Sequence, residues 1–209
     1  MCGSDTYNVH KAIVCPQSDF FRAACRPDTF AEGNIGVIDI PASSGRADAF
    51  YAQPFNAEEF DWDLDVETTE SVKLMIHYFY HHDYKGRVSH LYQKFTAQCR
   101  DGILSEHSRM YAMGEKYGIP GLKAVARTKF RDASMSFLGH AGLAAAIIIA
   151  FKSTPETVKG LRTDVLEALY QSRGWYTNDE EVWRTVASIP ELAYDLFRKI
   201  LQREIAAQP

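Results

Sequence analysis

From Ala133 to Phe151 the chain carries no Asp, Glu, Lys or Arg. A run of that length is close to the roughly 20 residues with which a helix crosses a bilayer. Ser134, Ser136, Gly139, His140 and Gly142 break its first half, however, and the continuously apolar part, Leu143 to Phe151, is too short to span. The expectation is a buried helix. A buried helix needs chain around it, and 209 residues supply it. Area scaling lets a chain of this size hide about 70% of its unfolded surface without disulfides or metals.

Composition narrows the class. Hydrophobic residues make up 46% and charged residues 24%, which excludes a disordered, collagen-like or disulfide-scaffold chain. Lys and Arg number 23 against 27 Asp and Glu, for a net charge of −4. That balance lacks the basic surplus that phosphate contacts call for, so nucleic acid is not expected as a partner, and neither is a membrane. Cys2, Cys15, Cys25 and Cys99 form no Cys-x-x-Cys pair and read as free thiols in a reducing compartment. The N-terminus shows no basic stretch followed by an apolar one, as a secretory signal would. The expected location is intracellular, cytoplasmic or nuclear or both.

The chain divides near residue 132, with extended pieces among helices before it and helices alone after it. Asp5 to Lys11 reads as the end of a strand. Ala12 to Cys25 reads as helical, interrupted near Pro16, with Ser18 as a cap. Ile35 to Ile40 is a β-branched strand closed by Pro41, and Ser43 to Asn56 a loop. Next, Phe60, Trp62, Leu64 and Val66 alternate with Asp61, Asp63, Asp65 and Glu67. Period two predicts a strand with one apolar and one solvated acidic face. Helices follow from Thr69 or Ser71 through Tyr80, from Leu104 to Tyr117, and from Pro120 through Phe130, with Gly118 as the break. Beyond residue 132, Thr154-Pro155-Glu156 opens one helix, Asn178-Asp179-Glu180-Glu181 another, and Pro190-Glu191 the last. In the last, Leu192, Leu196 and Ile200 form one row and Ala193, Phe197 and Leu201 the next, so one side is expected to be buried.

Few residues offer chemistry. His77 and His81 stand four apart on a helix and share a face, with His82 and Asp83 beside them, so a metal site is conceivable. No third ligand stands at a characteristic spacing. Asp61-x-Asp63-x-Asp65 starts like a calcium loop, but Val66 and Val72 stand where Gly and Glu are required. There is no nucleophile elbow and no phosphate loop. Cys15 and Cys25 flank apolar helical positions and read as core residues. Neither an enzyme nor a cofactor is expected.

Several segments, in order, resemble a known family. They are Val9-His10-Lys11-Ala12, Ser18-x-Phe20-Phe21, Ala24-Cys25, Phe30-x-Glu32 and Gly36-Val37-Ile38-Asp39-Ile40-Pro41. Then follow Val72-Lys73-Leu74-Met75-Ile76, Tyr78-Phe79-Tyr80-His81-His82-Asp83-Tyr84 and the run Arg109 to Lys123. Together they resemble a BTB/POZ domain of the short type found in filamentous fungi, over about residues 4 to 131. Ser153-Thr154-Pro155 and Ile189-Pro190-Glu191-Leu192-Ala193 resemble the helical region that follows the domain in those proteins.

The resemblance implies an α+β class: a small β-sheet flanked by a helical cluster over 1–131, then an all-helical region over 132–209. It implies a protein–protein interaction module that forms homo- or heterodimers, and an adaptor role toward a cullin-type ubiquitin ligase. Phe30 and Glu32 fit the hydrophobic-x-Glu element of cullin-binding members. Tyr111 and Trp62 are further candidate partner-binding residues. The chain departs from the family in a short segment before Asp5 and in a long insertion over about 41–66. The alternative function is a small metal-dependent enzyme built on His77 and His81.

Overall fold

The computed structural model describes residues 5–27, 30–40, 58, 60–85, 102–135, 142–157, 159–171 and 179–206. Of these, 74% are helical and 2% extended in bridges. In chain order come α1 (Lys11–Val14), a 3₁₀ turn (Cys15–Gln17), α2 (Asp19–Ala24), α3 (Ala31–Ile35), α4 (Trp62–Asp65) and α5 (Thr69–His81). Then come α6 (Ile103–Lys116), α7 (Pro120–Ser134), α8 (Leu143–Lys152), α9 (Lys159–Gln171), α10 (Glu180–Ala187) and α11 (Pro190–Ala206).

α8 is the expected buried helix. Every side chain from Leu143 to Ala150 is fully enclosed. A helix with no polar stripe has no face to give to water, so it sits where others surround it. Helices α6, α9 and α10 pack on it. Its start is pressed on the start of α6. Gly142 has φ 76°, and a Cβ there would lie 2.7 Å from Ser105 Oγ. Its end is closed by Arg162, a buried residue of α9. That guanidinium donates to the carbonyls of Phe151 (3.0 Å) and Thr154 (2.6 Å), lies over the Phe151 ring and pairs with Glu191 at 3.2 Å. The carbonyls a helix end leaves unbonded are thus met inside the fold. Thr154 was expected to cap the next helix. Instead its hydroxyl donates back to Ala150 O, and that helix begins at Lys159.

Around this centre, four helices begin at or within a residue of the starts that the sequence places. Thr68 Oγ1 accepts from Ser71 N–H (3.1 Å) at the start of α5. Ser18 Oγ accepts from Phe21 N–H (3.1 Å) and donates to Tyr117 O (2.6 Å), which ties α2 to the end of α6. Asp179 caps α10, and Pro190 opens α11. Buried residues from Val14 to Leu196 form one continuous hydrophobic cluster.

The sheet is the correction. Among the described residues there is no sheet, only isolated bridge positions at Asp5, Ile40 and Thr68. This overturns the α+β expectation and the BTB/POZ fold with it. The segment Asp5 to Lys11 contributes a bridge at Asp5 and then turns into α1. Ile35 ends a helix, because Gly36 takes a left-handed φ of 74° and its N–H closes on Glu32 O (2.7 Å). The alternating Phe60 to Glu67 stretch folds through α4; Asp61 is exposed, but two of its acids leave the solvated face expected of them. Asp65 and Glu67 are fully buried. Asp65 Oδ2 accepts from Asp61 N–H (2.9 Å), and its carbonyl accepts from Arg109 Nε (2.7 Å). Glu67 accepts the Tyr117 hydroxyl and pairs with Lys116 at 2.8 Å. Carboxylates enter an interior when such partners are present. The loop Ser43 to Asn56 lies outside the described residues.

Two substitutions test this frame in urea denaturation. Ile147→Ala should lower stability by about 2–5 kcal/mol through loss of burial and the cavity left behind. Arg162→Met keeps the bulk but strands the carbonyls it serves, and should cost about 1–3 kcal/mol.

Candidate interaction surface

α11 is apolar on two opposite sides. Leu192 and Leu196 are buried against the fold. Tyr194, Phe197, Leu201 and Ile205 are 64%, 62%, 40% and 70% exposed. Steps of three, four and four residues place these four in one row on the helix surface. Exposed apolar residues scattered singly need no explanation, but a contiguous row is a candidate interaction feature. Its rim is charged in both senses, with Asp195 and Arg198 paired at 3.6 Å and Glu204 exposed. The other side of α11 is held by Lys199, which pairs with Glu167 of α9 (2.7 Å) and lies over the Tyr170 ring.

The sequence-based candidates scatter. Phe30, at the cap of α3, is 52% exposed, and Glu32 two residues on is also exposed. Tyr111 is interior, 3% exposed, with the Lys123 ammonium over its ring. A Cβ at Gly160 would come 2.6 Å from the Tyr111 hydroxyl, so α9 lies directly on it. Trp62 is half-buried, packs on the core and lies under the Lys116 ammonium at 5.0 Å. These four do not form one surface. Sequence reasoning did name Phe197 and Leu201 but assigned them to the row beside the buried one. Tyr194 and Ile205, which complete the exposed row, were missed.

His77 and His81 do share a face, with rings stacked at 4.2 Å. His77 Nδ1 hydrogen-bonds Asp83 O (2.9 Å). The Asp83 carboxylate pairs with Lys129 (2.9 Å), which holds it below its ordinary range. No group of three or more His, Cys, Asp or Glu placed to hold a metal occurs among the described residues. Deeper in the same neighbourhood, Lys129 also donates to Tyr84 O (2.8 Å), and the Tyr84 hydroxyl meets His107 Nδ1 at 2.8 Å. Burial first, and Lys129 second, push the His107 imidazole down to about 3.

Comparison with known proteins finds no matching family model, no matching curated protein and no matching solved structure. No helix among the described residues is long and apolar enough to cross a membrane.

His107 gives the fold a pH dependence of defined sign. The unfolded chain binds a proton there near pH 6.5, whereas the folded chain does so only near 3. Its contribution is therefore complete above about pH 6.5 and is lost as pH falls, by about 2 kcal/mol on reaching pH 5. His107→Gln should flatten the slope of stability against pH between 7 and 5. An unchanged slope would remove His107 from the account.

Proposed function

We propose that this protein is a protein-interaction module that self-associates through the outer face of α11. The reading is carried by the row Tyr194, Phe197, Leu201 and Ile205, exposed on the side opposite the buried Leu192 and Leu196. Residues at i, i+3, i+7 and i+11 are the anchors with which one helix lies against another. A second copy laid on this face buries aromatic and aliphatic side chains at the centre and leaves charges of both signs at the rim. That is the usual anatomy of a contact between proteins. The mixed rim also avoids a like-charge clash between identical faces.

A second reading concerns Phe30 and Glu32. Both are exposed, an apolar anchor beside a carboxylate. A cullin scaffold is the partner that the resemblance attaches to this pair. With the BTB/POZ fold overturned, these two side chains alone support it. Pull-down by a cullin scaffold, weakened by Phe30→Ala and by Glu32→Ala, is the expected result. No capture of the intact protein ends this reading.

The α11 reading has its own test. Light scattering across a concentration series should give a dimer for the intact protein. Phe197→Glu with Ile205→Glu should give a monomer that melts as the intact protein does when diluted to its monomeric form. Removing two apolar anchors of this size, worth about 1.5–3 kcal/mol each, weakens the dimer by at least tenfold. An intact protein that stays monomeric throughout overturns the proposal.

A further inference from the structure

Cys15 opens the 3₁₀ turn after α1, and Cys25 follows the last residue of α2. Helix α2 folds the chain back so that both reach the Phe21 carbonyl. The Cys15 thiol donates to it at 3.6 Å, and the Cys25 backbone N–H donates to it at 3.0 Å. The turn is held from outside by Arg22, which donates to the carbonyls of Cys15 (3.2 Å) and Pro16 (3.3 Å). Both cysteines are half-buried and free. Both line one apolar cavity of about 330 Å³, together with Phe21, Val72, Met75 and Phe79. The Cys25 side chain lies close enough to act on the Cys15 thiol.

We propose that Cys15 and Cys25 form a dithiol site that closes to an intramolecular disulfide by exchange with a small soluble disulfide of the glutathione type. The shared Phe21 carbonyl holds the Cys15 thiol and the Cys25 backbone together beside a void. A disulfide needs the two Cβ atoms about 3.5–4.5 Å apart, a spacing that the backbone sets, and the thiols then turn to meet, for which the cavity leaves room. The Cys15 thiol proton is engaged with Phe21 O, and burial and then the contact with Cys25 push that thiol up, so Cys15 is assigned the resolving step. The Cys25 thiolate attacks one sulfur of the small disulfide, forming a mixed disulfide and releasing one thiolate. Cys15 then gives up its proton to solvent, and its thiolate attacks the Cys25 sulfur. The S–S bond to the small molecule breaks and the second thiolate leaves. The protein loses two electrons and two protons, and the small disulfide is reduced to two thiols.

The test uses the full chain carrying Cys2→Ser and Cys99→Ser, incubated with oxidised glutathione and digested without reduction. Trypsin cuts after Arg22, so the two cysteines fall in separate peptides. The expected product is those two peptides joined by a disulfide within one chain, which runs at single-chain mass on a denaturing gel, released by dithiothreitol and free of glutathione. Adding Cys15→Ser should arrest the reaction at a glutathione adduct on Cys25. Three outcomes would overturn the proposal. These are stable glutathione adducts on both cysteines of the intact pair, a disulfide between two chains, or thiols that react only after unfolding in urea.

Discussion

The arrangement depends on a helix that can show no face to water. α8 is apolar on every side from Leu143 to Ala150, so it must be enclosed completely. Enclosure creates two further demands. The backbone groups at both ends have to be satisfied inside the protein, and the enclosing helices must come close. Gly142 answers at one end by leaving no Cβ between α8 and the start of α6. Arg162 answers at the other with donors to Phe151 O and Thr154 O. Because the same guanidinium reaches Glu191, the end of α8 also fixes where α11 begins.

α6 carries that constraint toward the N-terminal half. It lies on α8 and is buried from Leu104 to Gly114, although Glu106, His107, Ser108 and Arg109 are polar. The segment 60–84 supplies part of what they need. Arg109 takes Asp65 O, His107 meets the Tyr84 hydroxyl, and Lys116 with Tyr117 takes Glu67. A buried polar helix face is tolerable only when such groups arrive together, which makes this region sensitive to removal of single partners.

This explains what the sequence reveals and what it conceals. Helix starts are local, a cap and the residues two or three beyond it, and those at Ser18, Thr68, Asp179 and Pro190 are where the pattern puts them or within a residue of it. The burial of α8 is legible from composition alone. The Phe60 to Glu67 alternation misleads because the burial of Asp65 and Glu67 depends on Arg109 and Lys116, more than forty positions away. No local period contains that information. The sheet expected from the family resemblance fails for a similar reason. Its longest runs, Val72 to Tyr84 and Arg109 to Lys123, are mostly helical here, and only the Gly36 to Pro41 run argues for a sheet. Gly36 serves a helix end instead.

The exposed row of α11 is the converse case, where the signal was local but only half read. A helix bearing Leu192, Leu196, Tyr194, Phe197, Leu201 and Ile205 has too many large apolar residues for one face. Its attachment does not use the outer row. Leu192 and Leu196 lie in the core, Glu191 meets Arg162, and Lys199 meets Glu167. Folding is thus served by one side of the helix. Substitutions on the other side leave the core intact, and their effects on association are separable from effects on stability. That separation makes the outer face informative: a variant there reads association without disturbing the fold.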